Sequence, residues 1–260
     1  MSPRVRRLEP LGWCVEASAP APVTSLEVET LVALLAREPV VLLRGYVPPT
    51  RDEMLRFCRR FPGEGILEWD FGPVMEMKVD PQAQNYLFTR ERVPFHWDGA
   101  FHRVPSYLAF HCLEAPVSGG GGETLFTDTE RVWEAASPED RALWSRLRLT
   151  FETEKLAHYG GKISGPLVQP HPRSGRPTLR FAEAVETDKN PVRLTVHGAT
   201  PSEATGFLTT IGRYAYDRRF CLVHRWERGD FLIADNHRLL HGRNGFTSDS
   251  PRHLRRVQVL

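Results

Sequence analysis

The sequence predicts a mainly β fold, a sandwich or barrel with peripheral helices and a site enclosed by its strands. Short apolar runs that end at Gly or Pro recur along the chain and are typical of buried strands. Only a few stretches combine a capping residue with helical spacing. The length of 260 residues fits a single domain, residues 1–260, because sandwiches and barrels of roughly 200–250 residues occur as one domain.

Four segments carry helix signals. Ser25 and Thr50 each precede a helical repeat of apolar residues and are expected to cap it. Thr200 stands at an N-cap position, with Pro201 at the first helical position and Glu203 three residues on, which is a capping box. The predicted helices cover about residues 26–37, 51–60, 138–148 and 201–216.

Strands are predicted where apolar runs are bounded by turn residues. One further strand carries His96. The other strand candidates are Pro39–Gly45, Ser106–Leu113, Glu123–Thr127, Phe220–Trp226, Phe231–Ala234 and Leu254–Leu260. Residues 153–177 are rich in Gly, Pro and His without a clear period, and an irregular loop of that length predicts a lid or a disordered segment.

Composition limits the function. The net charge is only +2, with 34 basic and 32 acidic residues. The chain therefore lacks the excess of positive charge that would indicate a nucleic-acid partner. No apolar run is long enough for a transmembrane helix, and no signal peptide follows the N-terminal arginines. The four cysteines are scattered, which argues against a thiolate zinc site. We expect a cytoplasmic protein with a small-molecule substrate and no membrane partner; a homo-oligomer remains open.

His96-Trp97-Asp98 is the strongest chemical signal. Side chains alternate along a strand, so His96 and Asp98 point to the same face and can reach one metal ion. Two His and one carboxylate are the ligands of non-haem Fe(II) oxygenases, and His241 is the best candidate for the third position. A surface strand pair is the simpler alternative. Three other histidines compete as third ligand: His102, His111 and His237.

Two arginines follow His241 at strand spacing. Arg252 and Arg256 are four residues apart, so on a strand both share one face with Leu254. Arg252 could hold a dicarboxylate cosubstrate through its planar fork of donors. The alternative is a solvated basic strand at the C-terminus.

These motifs, in this order, resemble the taurine dioxygenase (TauD/TfdA) family. The matching motifs are His96-Trp-Asp98, Gly121-Gly-Glu-Thr-Leu-Phe-Thr127, His241-Gly-Arg243 and Arg252-x-x-x-Arg256. The resemblance covers nearly the whole chain. Members are Fe(II)/2-oxoglutarate-dependent oxygenases built on a double-stranded β-helix, or jelly roll.

The resemblance implies a role for six residues. His96, Asp98 and His241 would be the Fe(II) ligands. Thr124 would hydrogen-bond 2-oxoglutarate, and Arg252 would pair with its distal carboxylate. Arg256 matches the arginine near the other carboxylate or the substrate anion. Three protein ligands leave positions for the keto acid and O2.

Aromatic residues near these motifs are candidates for contact with the substrate, and the resemblance indicates which substrate it is. The strings around His96 and His241 resemble oxygenases that work with isonitrile synthases in pyoverdine-chromophore (paerucumarin-type) pathways. The resemblance implies that the substrate is an isonitrile of tyrosine or tryptophan, which the protein would desaturate, decarboxylate or hydroxylate. Core packing is the alternative role for the aromatic residues, and fixing a turn is the alternative role for Arg243. The candidate contacts are Tyr86, Phe88, Phe95, Trp97, Phe101, Tyr107, His158, Tyr159, Lys162 and Arg243.

Two other functions remain open on sequence grounds. A catabolic oxygenase of the same family would cleave a sulfonate or another small anion. A non-catalytic jelly roll would only bind a metal or a keto acid. The complete set of ligand and cosubstrate residues favours an enzyme over this last alternative.

Overall fold

The computed structural model describes residues 3–156, 159–247 and 250–260. The helices in these ranges are α1 (Val28–Arg37), α2 (Arg51–Cys58), α3 (Thr129–Ala135), α4 (Pro138–Arg146) and α5 (Pro201–Ala215). The strands are β1 (Arg4–Arg7), β2 (Trp13–Glu16), β3 (Val40–Arg44), β4 (Val74–Met77), β5 (Val93–His96), β6 (Tyr107–Glu114), β7 (Thr124–Asp128), β8 (Arg148–Leu156), β9 (Tyr159–Pro166), β10 (Val168–Pro170), β11 (Pro177–Leu179), β12 (Arg193–His197), β13 (Cys221–His224), β14 (Phe231–Asp235), β15 (Leu239–Arg243) and β16 (His253–Val259). No helix in the described ranges is long and apolar enough to cross a membrane.

Two sheets form the frame. The larger has seven strands in the order β1-β2-β3-β14-β6-β16-β4, and the smaller has four in the order β13-β7-β15-β5. Neighbours pair antiparallel except β2 with β3, which are parallel. Most strands that lie side by side in these sheets are far apart in the sequence, as in a jelly roll. The predicted fold class is therefore confirmed.

Strand β3 shows why the larger sheet is covered on both sides. Its side chains alternate between faces, and all four residues Val40–Leu43 are buried. Val40 and Leu42 pack with residues of both sheets, including Phe126 of β7. Val41 and Leu43 pack on the other face with residues of α1 and α2.

The outer face of the smaller sheet is covered differently. Leu125 of β7 and Leu240 of β15 pack in one cluster with Trp144 of α4 and Phe207 of α5. The same cluster takes in Phe151 of β8, which belongs to a three-stranded sheet in the order β12-β8-β9. Helices and this extra sheet therefore close the side of the smaller sheet that faces away from the larger one.

Local helix signals are confirmed where a capping box is present. Thr50 and Thr200 each accept a hydrogen bond from the backbone three residues on, and the Glu at that position bonds back. The prediction that Ser25 caps α1 is wrong, because Ser25 ends a short 3-10 turn and α1 begins at Val28. Helix α3 was not predicted, since its seven residues are too few to show a period.

The prediction that residues 153–177 form an irregular segment is also wrong. Much of this stretch belongs to strands: β8 and β9 pair as a hairpin, and β10 pairs with β11. The many Gly and Pro residues hid the strand pattern. Glycine occupies positive-φ positions here, at Gly160 and Gly161, which ordinary residues rarely adopt.

We predict that Arg238→Met lowers the free energy of unfolding by about 3–5 kcal/mol, because it removes one partner of a buried ion pair. Arg238 lies 2.9 Å (Nε–Oδ1) and 2.5 Å (Nη2–Oδ2) from the Asp128 carboxylate, which also caps α3. Urea denaturation measures the change. The control is Arg219→Met, whose pair with Asp217 is exposed and should add little. Equal stability of the two variants would contradict this role for Arg238.

Candidate active site

Pairing of β5 with β15 places His96 directly opposite His241, with the ring centroids 4.3 Å apart. Asp98 follows two residues after His96. Its Oδ1 atom lies 3.8 Å from His96 Nε2 and 3.7 Å from His241 Nε2. One potential ligand atom from each residue lies within 4.8 Å of the other two, so the trio can hold one metal ion.

The surroundings of His96 and His241 favour the neutral form of both imidazoles. The Nδ1 atom of His96 lies 3.0 Å from the carbonyl oxygen of Pro94, so a proton on Nδ1 leaves Nε2 with its lone pair toward Asp98. Burial lowers the pKa of His96, and it lowers the pKa of His241 to about 3, with the nearby His96 as a second cause. A neutral imidazole is the form that binds a metal.

The two oxygens of Asp98 have different partners. Oδ2 accepts a hydrogen bond from Gln258 Nε2 at 2.6 Å and lies 2.8 Å from Arg256 Nη1. Burial alone would raise the pKa of Asp98, but Arg256, the two imidazoles and the Gln258 hydrogen bond together lower it. Asp98 is therefore an anion that presents Oδ1 to the metal position.

The backbone around Asp98 is held by Asn236. The Asn236 side chain accepts from Asp98 N and donates to the carbonyl oxygens of Asp98 and Pro105. Gly99 follows with a φ of 81°, and a Cβ at this position would lie 2.0 Å from the Arg103 carbonyl oxygen. Only glycine fits this turn, which bends the chain away immediately after the ligand.

A narrow cavity of about 30 Å³ adjoins His241 on one side of the trio. Arg252 and Thr124 line it, and Arg252 Nη2 donates to Thr124 Oγ1 at 3.3 Å. Trp226 Nε1 also donates to Thr124 Oγ1, at 2.9 Å. Burial, together with the nearby charge of Arg243, lowers the pKa of Arg252 to about 9. No carboxylate belongs to the lining of this cavity within the described ranges, so no protein anion in that lining neutralises the guanidinium groups there.

A larger cavity of about 220 Å³ opens on the other side of the trio. Its walls are mostly aromatic and aliphatic. Glu183 and Gln258 in the described lining already have partners, as Glu183 accepts from Phe95 N and Gln258 bonds Asp98. The buried Nε atom of Arg256 has no hydrogen-bond partner among the described residues. Five residues line both cavities, which therefore adjoin each other beside the metal position: Met75, Leu87, Phe88, His96 and Arg256.

The sequence profile of a known family, described as "Taurine catabolism dioxygenase TauD, TfdA family", matches residues 5–258. This chain belongs to the TauD/TfdA family. It is 43% identical over 261 residues to a 3-((Z)-2-isocyanoethenyl)-1H-indole synthase of Fischerella ambigua, covering 98% of this chain and 95% of that protein. It is 37% identical over 243 residues to a tyrosine isonitrile desaturase of Pseudomonas aeruginosa, covering 91% and 82%.

Solved structures agree with this assignment. The chain superposes with a TM-score of 0.80 on PvcB, described as an Fe, alpha-ketoglutarate dependent oxygenase from an isonitrile synthetic pathway. The sequences are 31% identical, and the match covers 99% of this chain and 91% of that one. The jelly-roll fold and membership of an Fe/2-oxoglutarate-dependent oxygenase family are thereby confirmed.

Within this TauD/TfdA fold, the larger cavity brings together most of the aromatic residues predicted to contact the substrate. Tyr86 and Phe88 reach it from a 3-10 turn before β5. The others follow along the β5 strand and the loop after Asp98. The predicted aromatic residues in the lining are Tyr86, Phe88, Phe95, Trp97 and Phe101.

Three predicted substrate contacts are corrected. Tyr107 is buried on the outer face of the larger sheet, packed with Phe61. Lys162 is exposed and lies 3.5 Å from Glu152, away from the cavity. Arg243 lines only the narrow cavity, and its Nη atoms donate to backbone carbonyls in 87–91, so it holds that segment in place. His158 and the side chain of Tyr159 lie outside the described residues.

The rival third ligands lie apart from the trio. The structure places His111 in the larger sheet beside Phe231, and His237 accepts from Arg180 on the far side of Asn236. His102 packs edge-on against Trp69. None of these three belongs to the metal-ligand group found among the described residues.

Sequence reasoning missed the partners of Asp98. Gln258 could have been found, because it lies two residues after Arg256 on the same strand and so shares its face. Arg256, which is predicted to lie near the other carboxylate of the cosubstrate or the substrate anion, also pairs with Asp98. Asn236, Trp226 and Trp69 had no local signal, because their contacts join distant parts of the chain.

We predict that His96→Ala and His241→Ala each abolish Fe(II) binding, since two remaining ligands hold the ion too weakly. Equilibrium dialysis under argon measures the bound metal. His197→Ala, at an exposed strand position that contacts Thr150, is the matched control and should bind Fe(II) like the unaltered protein. Full metal binding by either of the first two variants would rule out this ligand set.

We predict that Arg252→Met weakens 2-oxoglutarate binding by about 2–5 kcal/mol, as expected when one member of a buried charge pair is removed. The measurement is the charge-transfer absorption of the Fe(II)–2-oxoglutarate complex during anaerobic titration. Arg255→Met is the control, because Arg255 points to the opposite face of β16 and pairs with Glu76. An unchanged titration for Arg252→Met would assign the carboxylate to another cation.

Proposed function

We propose that this protein oxidises an isonitrile derived from tryptophan or tyrosine, with Fe(II) held by His96, Asp98 and His241. The observation that carries the proposal is the position of this trio between two adjoining cavities, a narrow one lined by arginines and a larger aromatic one. The similarity to an isocyanoethenyl-indole synthase and a tyrosine isonitrile desaturase supports the isonitrile class.

The bound ion, with 2-oxoglutarate and O2, would supply the oxidant that removes hydrogen from a C–H bond of the substrate. The residues of the chain position the reactants. Arg252 offers its guanidinium to the distal carboxylate of 2-oxoglutarate, and Thr124 offers its hydroxyl beside it. Both are buried, so the anion would be held away from water, where charge-assisted hydrogen bonds are stronger.

Arg256 suits an anionic group at the border of the two cavities. One of its nitrogens pairs with Asp98, another contacts the sulfur of Met75, and its buried Nε has no hydrogen-bond partner among the described residues. A buried donor without a partner is costly, so a ligand carboxylate near Nε would relieve that cost. The carboxylate of an amino-acid isonitrile or the second carboxylate of the keto acid could fill this role.

The larger cavity favours an aromatic substrate over a small sulfonate. Its lining is rich in aromatic rings, and in the described part of the chain Arg256 is the one cation that contributes to it. A small hydrophilic sulfonate such as taurine, a zwitterion, would leave most of that apolar surface without contacts. An aromatic ring would bury it, at roughly 25 cal/mol for each Å² removed from water.

Product formation tests the proposal. The protein is incubated with Fe(II), 2-oxoglutarate and O2, and succinate release is compared for the isonitriles of tryptophan and tyrosine, the two free amino acids, and taurine. We expect one isonitrile to stimulate succinate release and to lose two hydrogen atoms, with or without CO2, as mass spectrometry would show. Stimulation by taurine but not by either isonitrile would support the sulfonate-cleaving function instead.

A further inference from the structure

A chain of side-chain hydrogen bonds leads from Asp98 to the wall of the larger cavity. Gln258 Nε2 donates to Asp98 Oδ2 at 2.6 Å, and Gln258 Oε1 accepts from the indole Nε1 of Trp69, also at 2.6 Å. Gln258 is buried, with 3% of its surface exposed. A single amide therefore joins a metal-ligand candidate to a residue that lines the substrate cavity.

Trp69 belongs to an aromatic wall at the outer edge of that cavity. Its ring is stacked on Phe71 with centroids 6.2 Å apart and an interplanar angle of 17°. Both rings line the cavity, and Phe71 is 48% exposed, which places the pair where the cavity meets solvent. A tight turn carries them, closed by a 2.8 Å hydrogen bond from Gly72 N to Trp69 O.

The segment before this turn is attached to β16, the strand that bears Gln258. Leu67 N donates to the carbonyl oxygen of Gln258, and Ile66 bridges Val259. The backbone and the side chain of Gln258 therefore both hold the 66–69 segment. β16 also pairs with β6 and β4 in the larger sheet. The segment that carries Trp69 is therefore attached to this sheet.

We propose that Gln258 is a positioning residue that sets the aromatic wall, Trp69 with Phe71, and the Asp98 carboxylate in one fixed arrangement. This inference rests on the proposed function, in which Asp98 binds the metal and the larger cavity holds an aromatic substrate. The Gln258 amide would then set the distance between the metal and a substrate ring stacked against the aromatic wall. The same amide keeps Oδ2 of Asp98 engaged, so that Oδ1 remains the ligand atom.

The chemistry of the amide explains why glutamine suits this position. Its side chain carries a donor and an acceptor on one planar group, so it can donate to a carboxylate and accept from an indole at the same time. A glutamate would repel Asp98, and a leucine would make neither bond. Partners that orient a metal ligand are typically worth 10–100-fold in metal affinity.

The test uses the full-length protein and Co(II), whose affinity is measured by absorption titration without turnover. We expect Gln258→Leu to weaken Co(II) binding by about 10–100-fold. Trp69→Phe keeps an aromatic ring but removes the N–H donor, and should weaken binding in the same direction by a smaller factor. The double variant should lose no more than Gln258→Leu alone, because both changes interrupt one chain of bonds.

Trp13→Phe is the matched control. It removes an indole N–H that has no hydrogen-bond partner among the described residues and lies on β2, outside both cavities, so Co(II) affinity should stay unchanged. Unaltered Co(II) affinity in Trp69→Phe, or losses that add in the double variant, would overturn the proposal. If Gln258→Leu does not fold, Trp69→Phe alone decides. Failure of the unaltered protein to bind Co(II) would instead count against the proposed function.

Discussion

The antiparallel pairing of β5 with β15 is the constraint on which the site depends. It sets His96 opposite His241, although the two are 145 positions apart in the chain (241 minus 96). A shift of the register by one residue would turn one imidazole to the other face of the sheet, because side chains alternate with period 2. β15 is itself held by β7 on its other side, so neighbours on both edges fix this register.

Much of the site could be predicted because its signals are local. The spacing of His96 and Asp98, and that of Arg252 and Arg256, shows which side chains share a face without any knowledge of the fold. Thr50 and Thr200 were predicted as helix caps for the same reason, since a capping box is complete within four residues. The choice of His241 as third ligand needed more, and came from a family resemblance that the comparisons confirm.

The remaining features depend on closure of the sheets and have no local signal. Tyr107 and Phe95 are both aromatic residues on strands, but one packs under the helices and the other faces the cavity. Lys162 lies in a hairpin that the sequence did not reveal, and its strand carries it away from the trio. The contacts of Gln258 with Trp69 and Asp98 span 189 and 160 positions, so only the folded chain shows them.

The balance of charge explains why the two cavities suit different ligands. Three arginines line the narrow cavity with no carboxylate from the described residues, and Asp98 beside it is already paired with Arg256. Burial lowers the pKa of Arg243 to about 10 and that of Arg252 to about 9, which shows that these charges are held at a cost. A divalent metal would add to the excess of positive charge. A dianion in the narrow cavity offsets both terms, whereas a ligand in the larger cavity meets only one of these guanidinium groups, Arg256, within the described lining. Charge therefore suits the narrow cavity to a dianion, whereas the aromatic wall of the larger cavity suits the apolar part of a second ligand.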